Sequence, residues 1–459
     1  MKKSLLFFFL LPAMMWAQGN KPAAAKKPSG NVTLICRVYG VPTNLDSLYV
    51  YENMGLANKI VARGGRRPVD SAYVLTVPMS APKMYLVGSS EQSMAKVILG
   101  EEKEVTLWGN SQFMNKARTV NSAANKNFEA VQTRVNQLQE QSTLSRTQFN
   151  MATGAARTKA QENLAALGKA KEKYLDSLKK VNQMLWRYAS LKLSPDHEGQ
   201  AGIGEAEFYG MNYFKYADLK DKGFDDMPEV FSAFEAYTAT LINMGTPHAT
   251  AIAMAENKLK ELPAGSPTYR RALGGIISTL KTTNSPEYVT LTKKYIDQFR
   301  NDNLGEIPRL EMDVRRAGTY VTGIEAPELA GMTPDSSNFS LTQLRGKVVM
   351  IDFWASWCGP CRKENPNVVA NYHKYKDKGF DILGVSLDRD MGAWRKAIAA
   401  DGLPWHHISD LKGWQSAHAA LYSVTSIPQT LLLDRDGKII ARNLRGEALG
   451  QKLKELFGS

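Results

Sequence analysis

The chain has 459 residues, of which 43% are hydrophobic and 22% charged, and this composition excludes a disordered polymer. The length exceeds what one hydrophobic core usually serves, so we expect several domains. The formal net charge of +13 is concentrated between Ser111 and Lys192, without the aromatic residues that nucleic-acid motifs interleave with basic ones. We therefore predict no nucleic-acid partner, and a solvated helical face there rather than a site for anionic lipid headgroups.

The N-terminus has the layout of a secretory signal peptide. Two lysines precede an apolar run from Leu5 to Trp16, and we predict a signal peptide over residues 1–17 with cleavage after Ala17. An uncleaved anchor is the less favoured alternative, because the run falls well short of the ~20 apolar residues that span a bilayer. Residues 18–30, rich in Lys, Ala, Pro and Gly, predict a flexible leader. The predicted location is the periplasm, where disulfides can form.

Residues 31–110 contain short runs rich in Val, Leu and Tyr that are separated by turn residues. This spacing predicts a small antiparallel β domain. Cys36 lies in the first predicted strand, where we expect a buried, inert thiol rather than a third redox partner.

Residues 111–320 predict an all-α region. Apolar residues spaced by three and four, interrupted only by Lys171, indicate a helix with a coiled-coil-like seam. The seam comprises Leu164, Leu167, Tyr174, Leu178, Val181, Leu185 and Tyr188. A similar pattern starts at Phe128, with Gly154 near the turn, so we predict a long helical hairpin, which is also a candidate homodimer interface. The isolated His197 and His248 are not expected to be ligands, and we predict no metal site.

Residues 321–459 alternate between strand and helix patterns. Buried strands are predicted at "GKVVMIDFW" and "FDILGVSLD", each followed by a helix. A hairpin turning at Asp436-Gly437 and a closing helix complete the pattern. The predicted fold is an α/β sandwich around one mixed sheet.

Cys358 and Cys361 lie where the first of these strands leads into a helix. Unsatisfied backbone N–H groups at a helix start favour a thiolate on Cys358, and Cys361, one turn further, can attack a mixed disulfide. The pair therefore predicts a reversible two-electron switch. A zinc site lacks further ligands nearby, a haem attachment motif needs His where Arg362 stands, and a structural disulfide more often links distant segments.

The stretch "DFWASWCGPC" is similar, nearly letter for letter, to the active-site stretch of thioredoxins. Together with "YSVTSIPQTLLLDRDGKI" it resembles the extracytoplasmic thiol-disulfide oxidoreductases of the TlpA/ResA type, over residues from about 322 to 459. The resemblance implies a thioredoxin fold, exchange with protein disulfides or thiols, and no cofactor. The N-terminal β domain more faintly resembles a domain of unknown function that precedes such modules in secreted bacterial proteins.

The resemblance also implies roles for residues of the site. Cys358 corresponds to the nucleophile and Cys361 to the resolving thiol, and the two form the redox-active disulfide. Pro428 matches the proline that follows a cis peptide bond in this fold, which leaves the backbone groups of Ile427 free to pair with an extended substrate. Gln429 stands where thioredoxins usually carry Thr. Trp357 either shapes the docking surface or simply packs in the core.

Two acids compete as proton relay to Cys361. Asp352 lies on the buried strand where thioredoxins carry such an acid, and Glu364 matches a glutamate typical of the TlpA/ResA type, one helical turn after Cys361. A buried carboxyl near a thiol has a raised pKa and can act as a general base. We expect Asp352 to be the closer relay and Glu364 the modulator.

The dipeptide Gly359-Pro360 is that of reducing thioredoxins, so we predict a reductase of client proteins that draws electrons from a membrane donor. The alternatives are a redox-sensitive interaction protein and a disulfide isomerase that dimerises through the long helices. A peroxidase is disfavoured because Ala355 and Ile351 stand where peroxiredoxins carry Thr or Ser and Pro.

Overall fold

The computed structural model describes residues 30–41, 45–91, 93–199, 202–281, 285–302, 305–317, 319 and 321–458. The predicted signal peptide and all but the last residue of the predicted leader lie outside this part of the chain. Strands come first, helices follow, and a mixed sheet flanked by helices ends the chain. This order confirms the predicted multidomain fold class.

The N-terminal region consists of sheets that share one apolar core. The strands are Gly30–Tyr39 (β1), Ser47–Asn53 (β2), Asn58–Gly65 (β3), Tyr73–Met79 (β4), Lys83–Ser90 (β5), Ser93–Leu99 (β6), Glu104–Asn110 (β7) and Arg118–Thr119 (β8). One sheet has the order β4-β1-β7-β8 and another the order β3-β2-β5-β6. Strand β8 continues the first sheet past residue 110.

The strands of this region pair antiparallel as predicted, except β1 and β7, which pair in parallel. Between them the chain crosses to the other sheet and returns in the direction of β1. The spacing of short apolar runs does not reveal strand direction, so the sequence could not show this. Alternate residues of β1 are buried, among them Cys36, and burial raises the pKa of its thiol to about 12.

The central region is helical. Its helices are Ala123–Met151 (α1), Gly154–Val181 (α2), Gln183–Lys192 (α3), Glu205–Asn212 (α4), Glu229–Asn243 (α5), His248–Lys260 (α6), Pro267–Leu280 (α7), Pro286–Phe299 (α8) and Ile307–Ala317 (α9). Helices α1 and α2 pack together as the predicted hairpin, and Gly154 starts α2 with a φ of +55°, which a glycine adopts at little cost. None of the helices in the described ranges combines the length and apolar character needed to cross a membrane.

The predicted seam from Leu164 to Tyr188 does not form one helix, because the chain breaks at Asn182. Asn182 has extended backbone angles, and its side chain accepts a hydrogen bond from the amide of Leu185, which caps α3. Its neighbour Val181 is consequently exposed at the end of α2. The seam pattern persists across the break because both helices pack on the same core.

Lys171, which interrupts the apolar seam, is buried. Its ammonium lies 2.6 Å from a carboxylate oxygen of Asp196 and donates to the carbonyl of Ser194 at 2.9 Å. Asp196 also accepts from the hydroxyl of Ser142 on α1, at 3.3 Å. This ion pair therefore links both long helices to the chain that follows α3. Burial lowers the pKa of Lys171, against the opposing effect of Asp196.

The C-terminal region holds one mixed sheet with the order β10-β9-β13-β12-β11-β14-β15. Its strands are Ala330–Met332 (β9), Asn338–Ser340 (β10), Val348–Trp354 (β11), Phe380–Ser386 (β12), His406–Ser409 (β13), Gln429–Leu433 (β14) and Ile439–Arg442 (β15). Its helices are Gly359–Tyr375 (α10), Met391–Asp401 (α11), Ala417–Leu421 (α12) and Glu447–Phe457 (α13). The parallel strands β11 and β12 are buried throughout, as strands covered on both faces are.

The cysteine pair lies at the carboxyl end of β11, where the chain enters α10. Strand β11 pairs with β12 on one side and antiparallel with β14 on the other, so it is central in the sheet. The predicted hairpin turn joins β14 to β15, with Gly437 at a φ of +77°. A rigid, central strand thus fixes the position from which α10 starts.

We predict that Lys171→Ala destabilises the helical region by about 3 kcal/mol or more, because it leaves Asp196 buried without its ammonium partner. The matched control is Lys159→Ala, which removes an exposed pair with Glu162 at 2.8 Å and should cost less than about 1 kcal/mol. Urea denaturation followed by circular dichroism measures both. Equal, small losses for the two variants would contradict a structural role for the buried pair.

Candidate redox site

Cys358 occupies the N-cap position of α10. Its Sγ accepts a hydrogen bond from the backbone N–H of Cys361 at 3.2 Å. The two cysteines are joined in a disulfide, with their Cα atoms 5.3 Å apart. A sulfur at this position faces the free N–H groups of the first helical turn, and these favour the thiolate once the bond is reduced.

The disulfide lies just below the protein surface. Cys358 is 4% exposed and Cys361 is 1% exposed, so Cys358 is the more accessible of the two. Gly359 and Pro360, which follow Cys358, are exposed, and the side chain of Trp357 is half-exposed. The Trp357 ring therefore does not pack in the core, and it lies on the surface beside the disulfide.

Asp388 holds the loop that precedes the cysteines. Its buried carboxylate accepts from the amide of Ser356 at 3.0 Å and from the hydroxyl of Ser356 at 2.5 Å. The hydroxyl of Ser386, at the end of β12, donates to the same carboxylate at 2.7 Å. These bonds tie the loop to the neighbouring strand, so Cys358 is presented by a fixed backbone.

Arg362 and Asp401 secure the first turn of α10. The guanidinium donates to both carboxylate oxygens of Asp401, one of them at 2.5 Å, and to the carbonyl of Ser356 at 3.2 Å. Asn365 donates to the same carboxylate at 2.7 Å. The helix that begins at the cysteines is thereby fastened to the end of α11.

Asp352 is buried on β11. Burial raises the pKa of its carboxyl to about 7, the positive charge of Arg445 lowers that pKa, and the negative charge of Glu364 raises it. A group with this pKa is divided between its acid and its base form at neutral pH, which suits proton transfer. The structure thus surrounds Asp352 with groups from α10 and from the segment before α13.

Glu364 is not a free surface residue of α10. Its Oε1 accepts from the backbone N–H of Gly446 at 2.7 Å and from the side-chain amide of Asn367 at 2.7 Å. The same Asn367 amide donates to the carbonyl of Gly446 at 3.3 Å. Glu364 therefore connects α10 to the segment before α13.

Pro428 precedes β14, and the peptide bond between Ile427 and Pro428 is cis, as the resemblance implies. Within the described ranges, the backbone N–H and carbonyl of Ile427 have no hydrogen-bond partner. The carbonyl of Pro428 accepts from the guanidinium of Arg445. The backbone groups of Ile427 are therefore available to pair with an extended segment.

Arg445, Asp388 and Asp401 were missed by the sequence analysis, although each holds part of the site. None belongs to a short motif, since each reaches the site from a separate element. The one available signal was position, because Asp388 is the last residue of a predicted buried strand and Arg445 lies shortly before the predicted closing helix. Polar residues at such strand ends and helix starts often serve a site.

Comparisons with known proteins place part of this chain in a family. The Redoxin family model matches residues 318–456. The chain is similar to the thiol-disulfide oxidoreductase ResA of Bacillus thuringiensis subsp. konkukian, 32% identical over 133 residues, which is 29% of this chain and 75% of that protein. The chain belongs to the ResA-type thiol-disulfide oxidoreductases. It is also similar to ResA of Oceanobacillus iheyensis, 50% identical over 105 residues, 23% of this chain and 53% of that protein.

Part of this chain is also similar to solved structures. The thioredoxin domain of a thiol-disulfide oxidoreductase from Bacteroides vulgatus is 36% identical, with a TM-score of 0.29, and the match covers 30% of this chain and 98% of that one. A thiol-disulfide oxidoreductase from Bacteroides fragilis is 38% identical, with a TM-score of 0.28, covering 29% of this chain and 98% of that one.

We predict that Asp352→Asn stabilises the oxidised protein at pH 8. The folded-state pKa of about 7 lies above the value of ~3.9 in unfolded chains, so the wild type loses stability as the pH rises between these values. The neutral amide avoids this loss, and we expect a gain of about 2–4 kcal/mol at pH 8 relative to pH 3. Denaturant titration at both pH values measures it.

The matched control is Asp381→Asn, on the adjacent strand β12. Its buried carboxylate has the ammonium of Lys347 at 2.7 Å, so its removal should give no gain at pH 8. Equal effects of the two substitutions would contradict the assignment of a raised pKa to the Asp352 carboxyl.

We predict that Arg445→Met raises the pKa of Asp352 further, because the substitution removes the positive charge that lowers it. The pH midpoint of the Asp352-dependent stability change should move upward by roughly one unit, and Arg445→Lys should largely restore it. The midpoint is obtained in oxidised protein by comparing each variant with and without Asp352→Asn. An unchanged midpoint in Arg445→Met would show that the guanidinium does not act on this carboxyl.

Proposed function

We propose that this protein is an extracytoplasmic reductase that transfers two electrons from its Cys358–Cys361 dithiol to disulfides of client proteins. The observation that carries the proposal is the position of Cys358 at the start of α10, with the Cys361 N–H directed at its sulfur. The dipeptide between the cysteines, Gly359-Pro360, supports the reducing direction. The names of the ResA relatives support thiol-disulfide exchange.

In the first step, the Cys358 thiolate attacks one sulfur of the client disulfide. A bond forms between Cys358 Sγ and that sulfur, the client S–S bond breaks, and the other client sulfur leaves as a thiolate that takes a proton. The helix N-terminus assists because it favours the anionic nucleophile over the thiol. The product is a mixed disulfide between enzyme and client.

In the second step, Cys361 resolves the mixed disulfide. Asp352 takes the proton of the Cys361 thiol, and the resulting thiolate attacks Cys358 Sγ. The bond between Cys358 Sγ and the client breaks, and the second client sulfur leaves as a thiolate that takes the proton from Asp352. The client gains two electrons and the enzyme ends as the Cys358–Cys361 disulfide. Glu364 acts as a modulator, because its negative charge raises the pKa of Asp352.

The client is held beside the disulfide by backbone pairing. An extended client segment pairs with the free N–H and carbonyl of Ile427, which directly precedes the cis bond to Pro428. Trp357 covers the other side of the docked segment. These contacts use the client backbone, so they admit many sequences.

A dithiol donor at the membrane returns the enzyme to its reduced form, and the signal peptide over residues 1–17 delivers the chain to the periplasm. The support is the apolar run from Leu5 to Trp16 and the oxidising character of that compartment, where a reductant has protein disulfides to act on.

We predict that Cys361→Ser accumulates mixed disulfides with periplasmic proteins, because the first step proceeds while the second cannot. Non-reducing gels followed by mass spectrometry identify the trapped clients. The control is Cys358→Ser, which lacks the nucleophile and should trap few or none. Cys36 does not compete, because its thiol is buried. Absence of trapped species in Cys361→Ser would count against the proposal.

A further inference from the structure

Beside the disulfide lies a pair of exposed tryptophans, Trp357 and Trp414, which we term the tryptophan pair. Trp357 is 54% exposed and Trp414 is 48% exposed, and their ring centroids are 6.1 Å apart at an interplanar angle of 55°. Trp357 directly precedes Cys358, whereas Trp414 comes from the segment between β13 and α12. Two separate elements thus form one exposed aromatic surface, which begins at the residue that precedes the reactive cysteine.

The segment that carries Trp414 is closed by hydrogen bonds. The carboxylate of Asp410 accepts from the amide of Ala417 at 2.8 Å and from that of Lys412 at 3.2 Å. Within this loop the amide of Ser416 donates to the carbonyl of Gly413 at 3.0 Å. The exposed ring of Trp414 is therefore carried by a loop whose backbone is fixed by hydrogen bonds.

The same loop also contains backbone conformations that are unfavourable for most residues. Leu411 has a φ of +53°, in the left-handed region that residues with a branched apolar side chain rarely adopt. Gly413 has a φ of +60°, and a Cβ there would lie 2.6 Å from the guanidinium Nε of Arg389. Unfavourable conformations of this kind persist where the surrounding structure enforces them, and they concentrate at functional sites.

We propose that the tryptophan pair selects client segments that carry a bulky apolar side chain next to the reactive cysteine. The inference rests on the proposed function, because any client sulfur must approach Cys358, and the residues flanking that sulfur then lie across Trp357 and Trp414. Rings that are half-exposed without a client lose this exposure when an apolar side chain covers them. Backbone pairing at Ile427 is sequence-tolerant, so the tryptophan pair supplies the side-chain preference.

The test compares the reduced full-length protein on disulfide probes. One is a synthetic peptide disulfide with Leu and Trp flanking the cysteine, the second has Ser at both positions and the same net charge, and the third is hydroxyethyl disulfide. Acid quench and chromatography give the second-order rate constant for thiol release. We expect the wild type to prefer the apolar peptide about tenfold, as aromatic contacts at interface centres commonly supply.

Trp414→Ala should bring the rate on the apolar peptide down to that on the serine peptide and leave the hydroxyethyl disulfide rate unchanged. Trp414→Phe should retain most of the preference, because the ring is kept. The matched control is Trp108→Ala, which removes a tryptophan of similar exposure, 49%, from β7 and should change no rate.

Three results would overturn the inference while leaving the proposed function in place. They are equal wild-type rates on the two peptides, a preference that survives Trp414→Ala, and an equal slowing of all the probes by that substitution. A Trp414→Ala variant that converts a dimer to a monomer without losing the preference would assign the surface to self-association and also overturn it. A reduced wild type that fails on hydroxyethyl disulfide would overturn the proposed function itself.

Discussion

The hydrogen bond from the Cys361 amide to the Cys358 sulfur is the interaction on which the chemistry of this protein depends. It exists because a buried central strand ends at the point where α10 begins, so the free amides of the first turn face the first cysteine. The Ser356–Asp388 bonds and the Arg362–Asp401 pair keep that turn in place. The reactivity of one sulfur thus rests on backbone geometry that distant side chains maintain.

The segment Arg445-Gly446 joins the parts of the site that the sequence leaves far apart. Arg445 donates to the carbonyl of Pro428, and its charge acts on Asp352. The adjacent amide of Gly446 binds Glu364. A short stretch before α13 therefore contacts the loop that would meet the client and the acid on the helix, and its positive charge lowers the pKa of the acid on the central strand. A displacement of the Arg445-Gly446 segment would therefore alter its bonds to Pro428 and Glu364 and its effect on the pKa of Asp352.

The sequence was sufficient to predict those elements that depend only on neighbouring residues. Apolar runs located β11 and β12, the cysteine spacing located the start of α10, and Gly154 marked the turn of the long hairpin. The sequence was insufficient where contacts between distant residues determine the structure. Nothing in the seam pattern distinguishes a helix that passes through Asn182 from two helices that share a core. Nor could Lys171 be recognised as buried before its partner, Asp196, was brought next to it.

The reactive cysteine pair and the buried Cys36 lie in different regions of this chain. The sequence has 3 cysteines. The one outside the active pair, Cys36, is buried between the N-terminal sheets, and burial raises the pKa of its thiol to about 12. An alkylating reagent applied to the reduced, folded protein therefore modifies Cys358 first, and reaches Cys36 only when the β region opens. The number of modified sulfurs can be followed over time. Early modification reports the reactive thiol, and later modification of Cys36 reports local unfolding of the β region.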